Sequence, residues 1–192
     1  MEGLERRAAV AALLKDRGDL LVVTGLGSPT WDTFAAGDHP ANLYLWGAMG
    51  GAAMVGLGLA NAQPERPVAV ITGDGEQLMG LGGLATIVVA KPKNLAIVVL
   101  DNGHYGETGG QLSHTGASVD MARTAEAIGL STMVVSEASQ LDAARKMMHA
   151  PGAGPRLIVV RIAHKEPPRT LPPRDGAYIK SRFRANLGLP VN

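Results

Sequence analysis

Short apolar runs alternate with stretches of helical rhythm along most of the chain, and that alternation predicts a fold before any single residue is considered. Residues 4–14 repeat Leu4, Ala8, Leu13 and Leu14 at helical spacing and stop at Lys15-Asp16-Arg17-Gly18, where Gly18 suits a C-cap. Strands are predicted at 20–24, 43–46, 68–72, 95–100, 132–135 and 157–162. Helices are predicted at 31–36, 50–61, 76–89, 120–128 and 137–149, with turns marked by Gln63-Pro64-Glu65-Arg66-Pro67 and Lys91-Pro92-Lys93-Asn94. The run 95–100 has no polar position at all, as expected of a strand buried on both faces of a parallel sheet. Strand–helix alternation of this kind predicts an α/β fold, a doubly wound, mostly parallel sheet with helices on both faces.

The end of the chain reads differently. Residues 165–176 hold four prolines and many charges, which predicts an extended, exposed segment, and 179–187 reads as a small basic helix. Residues 1–164 are therefore read as the domain and 165–192 as a Pro-rich basic tail that is not a domain of its own. A length of 192 residues suits one domain, which could bury about 70% of its unfolded surface. Charged residues are only 18% and the net charge is +1, so there is no electrostatic footprint for nucleic acid. With no cysteine, disulfides and thiol chemistry are excluded. Residues 47–62 are apolar but rich in glycine and helical in rhythm, a buried helix rather than a membrane span. No signal-like segment follows the charged start, so a cytoplasmic location is expected.

The candidate chemistry sits at two strand ends. Gly73-Asp74-Gly75 closes the run 68–72, and Asp101-Asn102 closes the run 95–100, with 26 residues between Gly75 and Asn102. In an open parallel sheet the carboxyl ends of the strands line the crevice where ligands bind. A carboxylate and an amide oxygen meeting there, beside a glycine turn and a helix start, suit a hard cation and a diphosphate. Taken singly, Asp74 could be an N-cap and Asn102 a turn residue. The loop beyond Asn102 crowds His104, Tyr105, Glu107, Thr108, Gln111 and His114 together, either as working groups or as a solvated glycine-rich lid.

These motifs, in this order, resemble the thiamine diphosphate (ThDP) enzymes, whose cofactor motif runs Gly-Asp-Gly, twenty-odd residues, then Asn. Leu45-Trp46-Gly47-Ala48-Met49-Gly50 is similar to the segment that grips the aminopyrimidine in 2-oxo acid decarboxylases. Asn102-Gly103-His104-Tyr105-Gly106 followed by Gly109-Gly110-Gln111 resembles the phosphonopyruvate and sulfopyruvate decarboxylases. The likeness covers about residues 20–162. It implies the ThDP-binding fold and, within it, the diphosphate-binding domain.

The resemblance also implies roles. Mg²⁺ would take Asp74, Asn102 and the His104 carbonyl as protein ligands. The cofactor would lie against Gly47, Ala48, Met49, Gly73, Asp74, Gly75, Glu76, Asn102, His104, Tyr105 and Gly106. Met49 would wedge beneath it into its V shape, with a plain core methionine as the other reading, and the Gly47 carbonyl would accept from its amino group. His104, Glu107, Gln111 and His114 are the catalytic candidates, as proton donors or as groups that hold the polar end of the substrate, a task open to Ser113 as well. The hydroxyls of Thr24-Gly25-Leu26-Gly27-Ser28-Pro29-Thr30 would edge the cofactor. Glu76 is the awkward residue, an acid beside a diphosphate, and its side chain is expected to turn towards solvent or a partner.

The acid that activates the aminopyrimidine would come from a separate pyrimidine-binding α subunit, as a glutamate, in an α2β2 or larger hetero-oligomer. The implied reaction converts a small 2-oxo acid, sulfopyruvate- or phosphonopyruvate-like, to an aldehyde and CO₂. Two alternatives stay open. One is carboligation, in which a second carbonyl compound takes the place of the proton; the other is a non-catalytic, cofactor-binding or regulatory subunit, suggested by Glu76 and Asp101. No arginine cluster is evident in the site loops, so the tail residues Arg169, Arg174, Lys180 and Arg182 are candidates to fold over the pocket or meet the partner.

Overall fold

The computed structural model describes residues 3–150 and 152–191. In chain order its elements are α1 (Arg6–Leu14), β1 (Leu21–Thr24), α2 (Ser28–Ala35), β2 (Asn42–Tyr44), α3 (Ala52–Ala62), β3 (Val68–Gly73), α4 (Asp74–Met79) and α5 (Leu81–Ala90). There follow β4 (Leu95–Asp101), the short pair β5 (His104–Tyr105) and β6 (Gln111–Leu112), α6 (His114–Ala117) and α7 (Met121–Ile128). The last elements are β7 (Ser131–Val135), α8 (Leu141–His149), β8 (Arg156–Arg161) and α9 (Gly176–Asn186). Six strands form one parallel sheet in the order β2-β1-β3-β4-β8-β7, and β5 and β6 pair antiparallel outside it.

The expected doubly wound sheet is the one that forms. Its central strand β4 is buried along its whole length, while β7 at one edge exposes Ser131 and Val134. The sheet separates two apolar clusters. Residues of α3, α5 and α7 pack with Val70, Ile97 and Val99 on one face; residues of α1 and α8 pack with Ile71, Val98 and Val160 on the other. Because successive strand residues face opposite sides, each buried strand feeds both clusters.

The helix expected at 76–89 is two helices. It begins at Asp74, is interrupted at Gly80 and resumes at Leu81. A Cβ on Gly80 would stand 2.2 Å from the Gly50 carbonyl oxygen, so two backbones meet where a continuous helix would carry a side chain. That contact fixes the turn ahead of α3 against the end of α4.

The tail is extended, as expected, but it is not free. Trp46 Nε1 donates to the Pro173 carbonyl at 2.8 Å, and Arg7 donates to the Pro168 carbonyl. Asp175 caps α9, which buries Ile179 and Phe183 against the β2 side of the sheet. Among the described residues, no helix is long and apolar enough to cross a membrane.

Gly80→Ala is expected to lower stability by about 1–3 kcal/mol through overpacking. Gly58→Ala, on a helix position with nothing within 4 Å of the new Cβ, is expected to raise it by up to about 1 kcal/mol. Urea denaturation of the two variants beside the wild type checks both signs.

Candidate active site at the carboxyl edge of the sheet

β3 and β4 lie side by side with Gly73 opposite Leu100, so the residues that follow each strand emerge at the same place. Asp74, Gly75 and Glu76 from one strand end and Asn102, His104 and Tyr105 from the other line a single cleft. Met49, Ser28, Pro29, Glu107 and Arg6 complete much of its wall.

Asp74 is held firmly. It is 2% exposed, and its Oδ2 accepts from the hydroxyls of Ser113 and Thr115. Burial pushes its pKa up; the Ser113 hydroxyl opposes the shift, the neighbouring Asp101 charge adds to it and Thr115 opposes it. Asp74 Oδ1 has no hydrogen-bond partner outside its own residue among the described residues. Asn102 forms an Asx turn in which its Oδ1 accepts from His104 N at 2.9 Å, and the His104 ring bonds the Asn102 carbonyl at 2.8 Å. The same ring stacks on His164, with centroids 3.8 Å apart.

Ser113 is one of several groups that the sequence leaves open to holding the polar end of a substrate. It is instead 1% exposed and spent on Asp74, so its part in the site is to aim a carboxylate. No sequence signal marked it, because the partnership spans 39 residues. Asp101 is likewise structural: it pairs with Arg161, accepts from Gly103 N at 3.0 Å and lies 2.8 Å from the Thr115 hydroxyl, whose single proton it shares with Asp74.

Glu76 corrects the sequence expectation most sharply. Its side chain does not face solvent; the residue is 6% exposed, and Oε2 accepts from Leu26 N at 3.0 Å and Thr72 Oγ1 at 2.9 Å. Burial raises its pKa, opposed by the Thr72 hydroxyl and then by the amides of Leu26, Gly50 and Ala52. Oε1 lies buried without a partner of hydrogen-bond geometry. The carboxylate thus joins the loop after β1 to the end of β3, beside the turn ahead of α3. Gly25 has to lack a side chain for this, since its Cβ would fall 1.8 Å from Oε2.

The glycine-rich loop is built rather than loose. β5 and β6 form a hairpin whose Tyr105 ring packs over Gly75, where a Cβ would approach to 2.5 Å. Of the four catalytic candidates, His104 and Glu107 line the cleft, and the Glu107 carboxyl lies against Gly27, which has φ 73°. Gln111 bonds Thr108, and His114 Nδ1 bonds the Tyr105 hydroxyl at 2.7 Å; both lie outside the cleft lining. Gly47 and Ala48 are exposed on the turn that leads to Met49. The hydroxyls of Thr24 and Thr30 do not edge a ligand site: they are fully buried and bond each other, and Thr30 also bonds the Gly25 carbonyl.

Residues 30–160 match the family described as thiamine pyrophosphate enzyme, C-terminal TPP binding domain. The chain belongs to the thiamine diphosphate enzymes. The sulfopyruvate decarboxylase subunit beta of Methanothermobacter thermautotrophicus is 41% identical over 130 residues, 68% of this chain and 69% of that one. That of Methanococcus maripaludis is 34% identical over 183 residues, 94% and 96% of the two chains. Phosphonopyruvate decarboxylase of Streptomyces viridochromogenes is 44% identical over 125 residues, and there the match takes in 31% of the relative. The fold is also that of benzoylformate decarboxylase from Polynucleobacter necessarius, with a TM-score of 0.73 at 22% identity over 86% of this chain and 34% of that one. Within the ThDP enzymes the chain sides with the decarboxylases, and most residues that line the cleft, from Met49 to Thr108, fall within the matched segment.

Glu76→Ala, which strips acceptors from Leu26 N and Thr72, is expected to cost about 1–3 kcal/mol for the donors left unpaired. Glu76→Gln keeps the shape and one acceptor and is expected to cost less than half as much. Urea denaturation at neutral pH separates them; equal losses would deny Oε2 its bracing role.

Proposed function

We propose that the chain is the diphosphate-binding subunit of a two-subunit ThDP- and Mg²⁺-dependent decarboxylase acting on a small 2-oxo acid with an anionic tail. The observation that carries this reading is the convergence of Asp74 and Asn102 on one cleft, with Asp74 Oδ2 fixed by Ser113 and Thr115. Among the described residues, no group of three or more His, Cys, Asp or Glu side chains could hold a metal by itself. One carboxylate, one amide oxygen and a backbone carbonyl suit Mg²⁺ only if phosphate oxygens and water supply the rest, which is how this ion is usually bound.

Asp74, Asn102 and the His104 carbonyl would hold the metal, and the Gly75 turn, beside the Tyr105 ring, would meet the diphosphate. Met49, in the cleft wall, would support the thiazolium and pyrimidine rings, with the Gly47 carbonyl as acceptor for the amino group. When bound, the cofactor supplies the electron sink that lets a 2-oxo acid lose CO₂. The chain's own work is to seat it, to narrow the cleft with the Tyr105 hairpin, and to deliver a proton from His104 or Glu107, the two catalytic candidates in the lining. The relatives named subunit beta support a pyrimidine-binding partner, which would bring the activating glutamate. The non-catalytic alternative loses its footing, because Asp101 and Glu76 both have structural partners.

Coexpressed with its pyrimidine-binding partner, the chain is expected to release CO₂ from sulfopyruvate or phosphonopyruvate only with ThDP and Mg²⁺ present, and EDTA is expected to abolish this. Asp74→Ala should weaken Mg²⁺-dependent ThDP binding more than about 100-fold, beyond the range typical of outer-shell partners, and Ser113→Ala by about 10–100-fold. Isothermal titration gives both values, and undiminished binding by Asp74→Ala would sink the proposal.

A further inference from the structure

Three of the four tail cations that are candidates to meet the substrate are engaged elsewhere. Arg182 pairs with Asp38 at 2.6 Å, Arg174 lies over Trp46 and Arg169 over Trp31. Arg161 is taken by Asp101. Among the described residues, the one arginine or lysine that lines the cleft is Arg6, at the start of α1.

Arg6 is 4% exposed, an unusual place for a guanidinium. Its Nε donates to Asp32 Oδ2 at 2.5 Å, and Asp32 is itself 1% exposed. Arg7 Nε lies 3.5 Å from the other Asp32 oxygen, so one carboxylate faces two guanidiniums and a positive charge is left over. The Nη atoms of Arg6 have no hydrogen-bond partner among the described residues. Arg6 also lines a second, open space with Gly3, Glu5, Ala163, Lys165, Glu166 and Pro167. It is the residue the two spaces share. The acids of that second space are partly accounted for, since Glu5 caps α1 through Arg7 N and Ala8 N.

We propose that Arg6, clamped by Asp32, is the specificity residue that receives the sulfonate or phosphonate tail of the substrate. This rests on the functional reading above and names the group it left open. A guanidinium presents parallel donors that match a tetrahedral oxyanion, and clamping through Nε leaves both Nη atoms for that purpose. Arg6 also opens onto the second space, whose lining includes none of Gly73, Asp74, Gly75 and Asn102, and this suits a substrate tail better than a diphosphate anchored on Asp74. Lys165 lines the second space too, next to Glu166, so Arg6 is the cation on which the assignment rests. The pairing with Asp32 sets the rotamer, so Asp32 is a positioning residue.

The test uses the assembled two-subunit enzyme with Arg6→Ala, Arg6→Lys and Asp32→Asn. For sulfopyruvate and phosphonopyruvate, kcat/KM of Arg6→Ala is expected to fall about 10- to 100-fold further than for pyruvate, which has no tail, the scale of a lost charge-assisted hydrogen bond. Arg6→Lys is expected to recover part of the difference, and inhibition by sulfoacetate should weaken in step with the tailed substrates. Equal losses on tailed and tailless substrates would reduce Arg6 to scaffolding and overturn the proposal. A rise in the half-saturating ThDP concentration as large as the change in substrate KM would overturn it too, assigning Arg6 to the diphosphate. If Arg6→Ala does not fold, Arg6→Lys and sulfoacetate inhibition decide the matter by the same criteria. A wild-type assembly inert towards every 2-oxo acid fails the functional reading itself; an active wild type with unchanged discrimination in the variants fails only the tail assignment.

Discussion

The site depends on the register of two parallel strands. With Gly73 level with Leu100 at the end of the β3–β4 ladder, the next residues of both strands leave the sheet together, and a carboxylate and an amide are delivered to the same cleft. A one-residue slip would turn every side chain of a strand to the opposite face, so the two buried clusters that hold the sheet also hold the register. Packing of the core and placement of the site are therefore one constraint. The central strand can be apolar throughout because its polar work begins only at its last residue, Asp101.

Four buried carboxylates gather near this edge: Asp32, Asp74, Glu76 and Asp101. Two of them have a guanidinium, Arg6 for Asp32 and Arg161 for Asp101. Asp74 and Glu76 have none among the described residues and are stabilised by hydroxyls and amides alone. Buried charge without a counter-charge is costly, and burial raises the pKa of both. A divalent cation at Asp74 would relieve that cost. Glu76, joined to the loop after β1, is better understood as the brace that keeps neighbouring loops at fixed spacing around it.

Backbone approaches do the rest of the shaping. Gly25 gives way to the Glu76 carboxylate, Gly75 to the Tyr105 ring and Gly80 to the Gly50 carbonyl. Each contact joins segments far apart in the chain at the rim of one cleft. The tail adds a further tie, since its prolines run from the Arg7 side of the molecule to Trp46 and then hand over to α9. What reads as an extended basic end is a strap in which Arg169, Arg174 and Arg182 are held by Trp31, Trp46 and Asp38.

The sequence by itself determined the layering, the strand ends and the pair Asp74 and Asn102 that meets at one cleft, because apolar period, turn residues and the Gly73-Asp74-Gly75 turn are local signals. It also carried the family resemblance, which lives in contiguous motifs. Only the tertiary structure decided that Glu76 turns inward, that Ser113 belongs to Asp74, that His104 and Glu107 rather than Gln111 and His114 line the cleft, and that Arg6 reaches it. These are pairings across 26 to 50 residues, set by which loops the fold brings to one sheet edge. No periodicity or spacing along a single chain encodes such a meeting, because the same side chain can face solvent or a buried partner without any change in its local sequence.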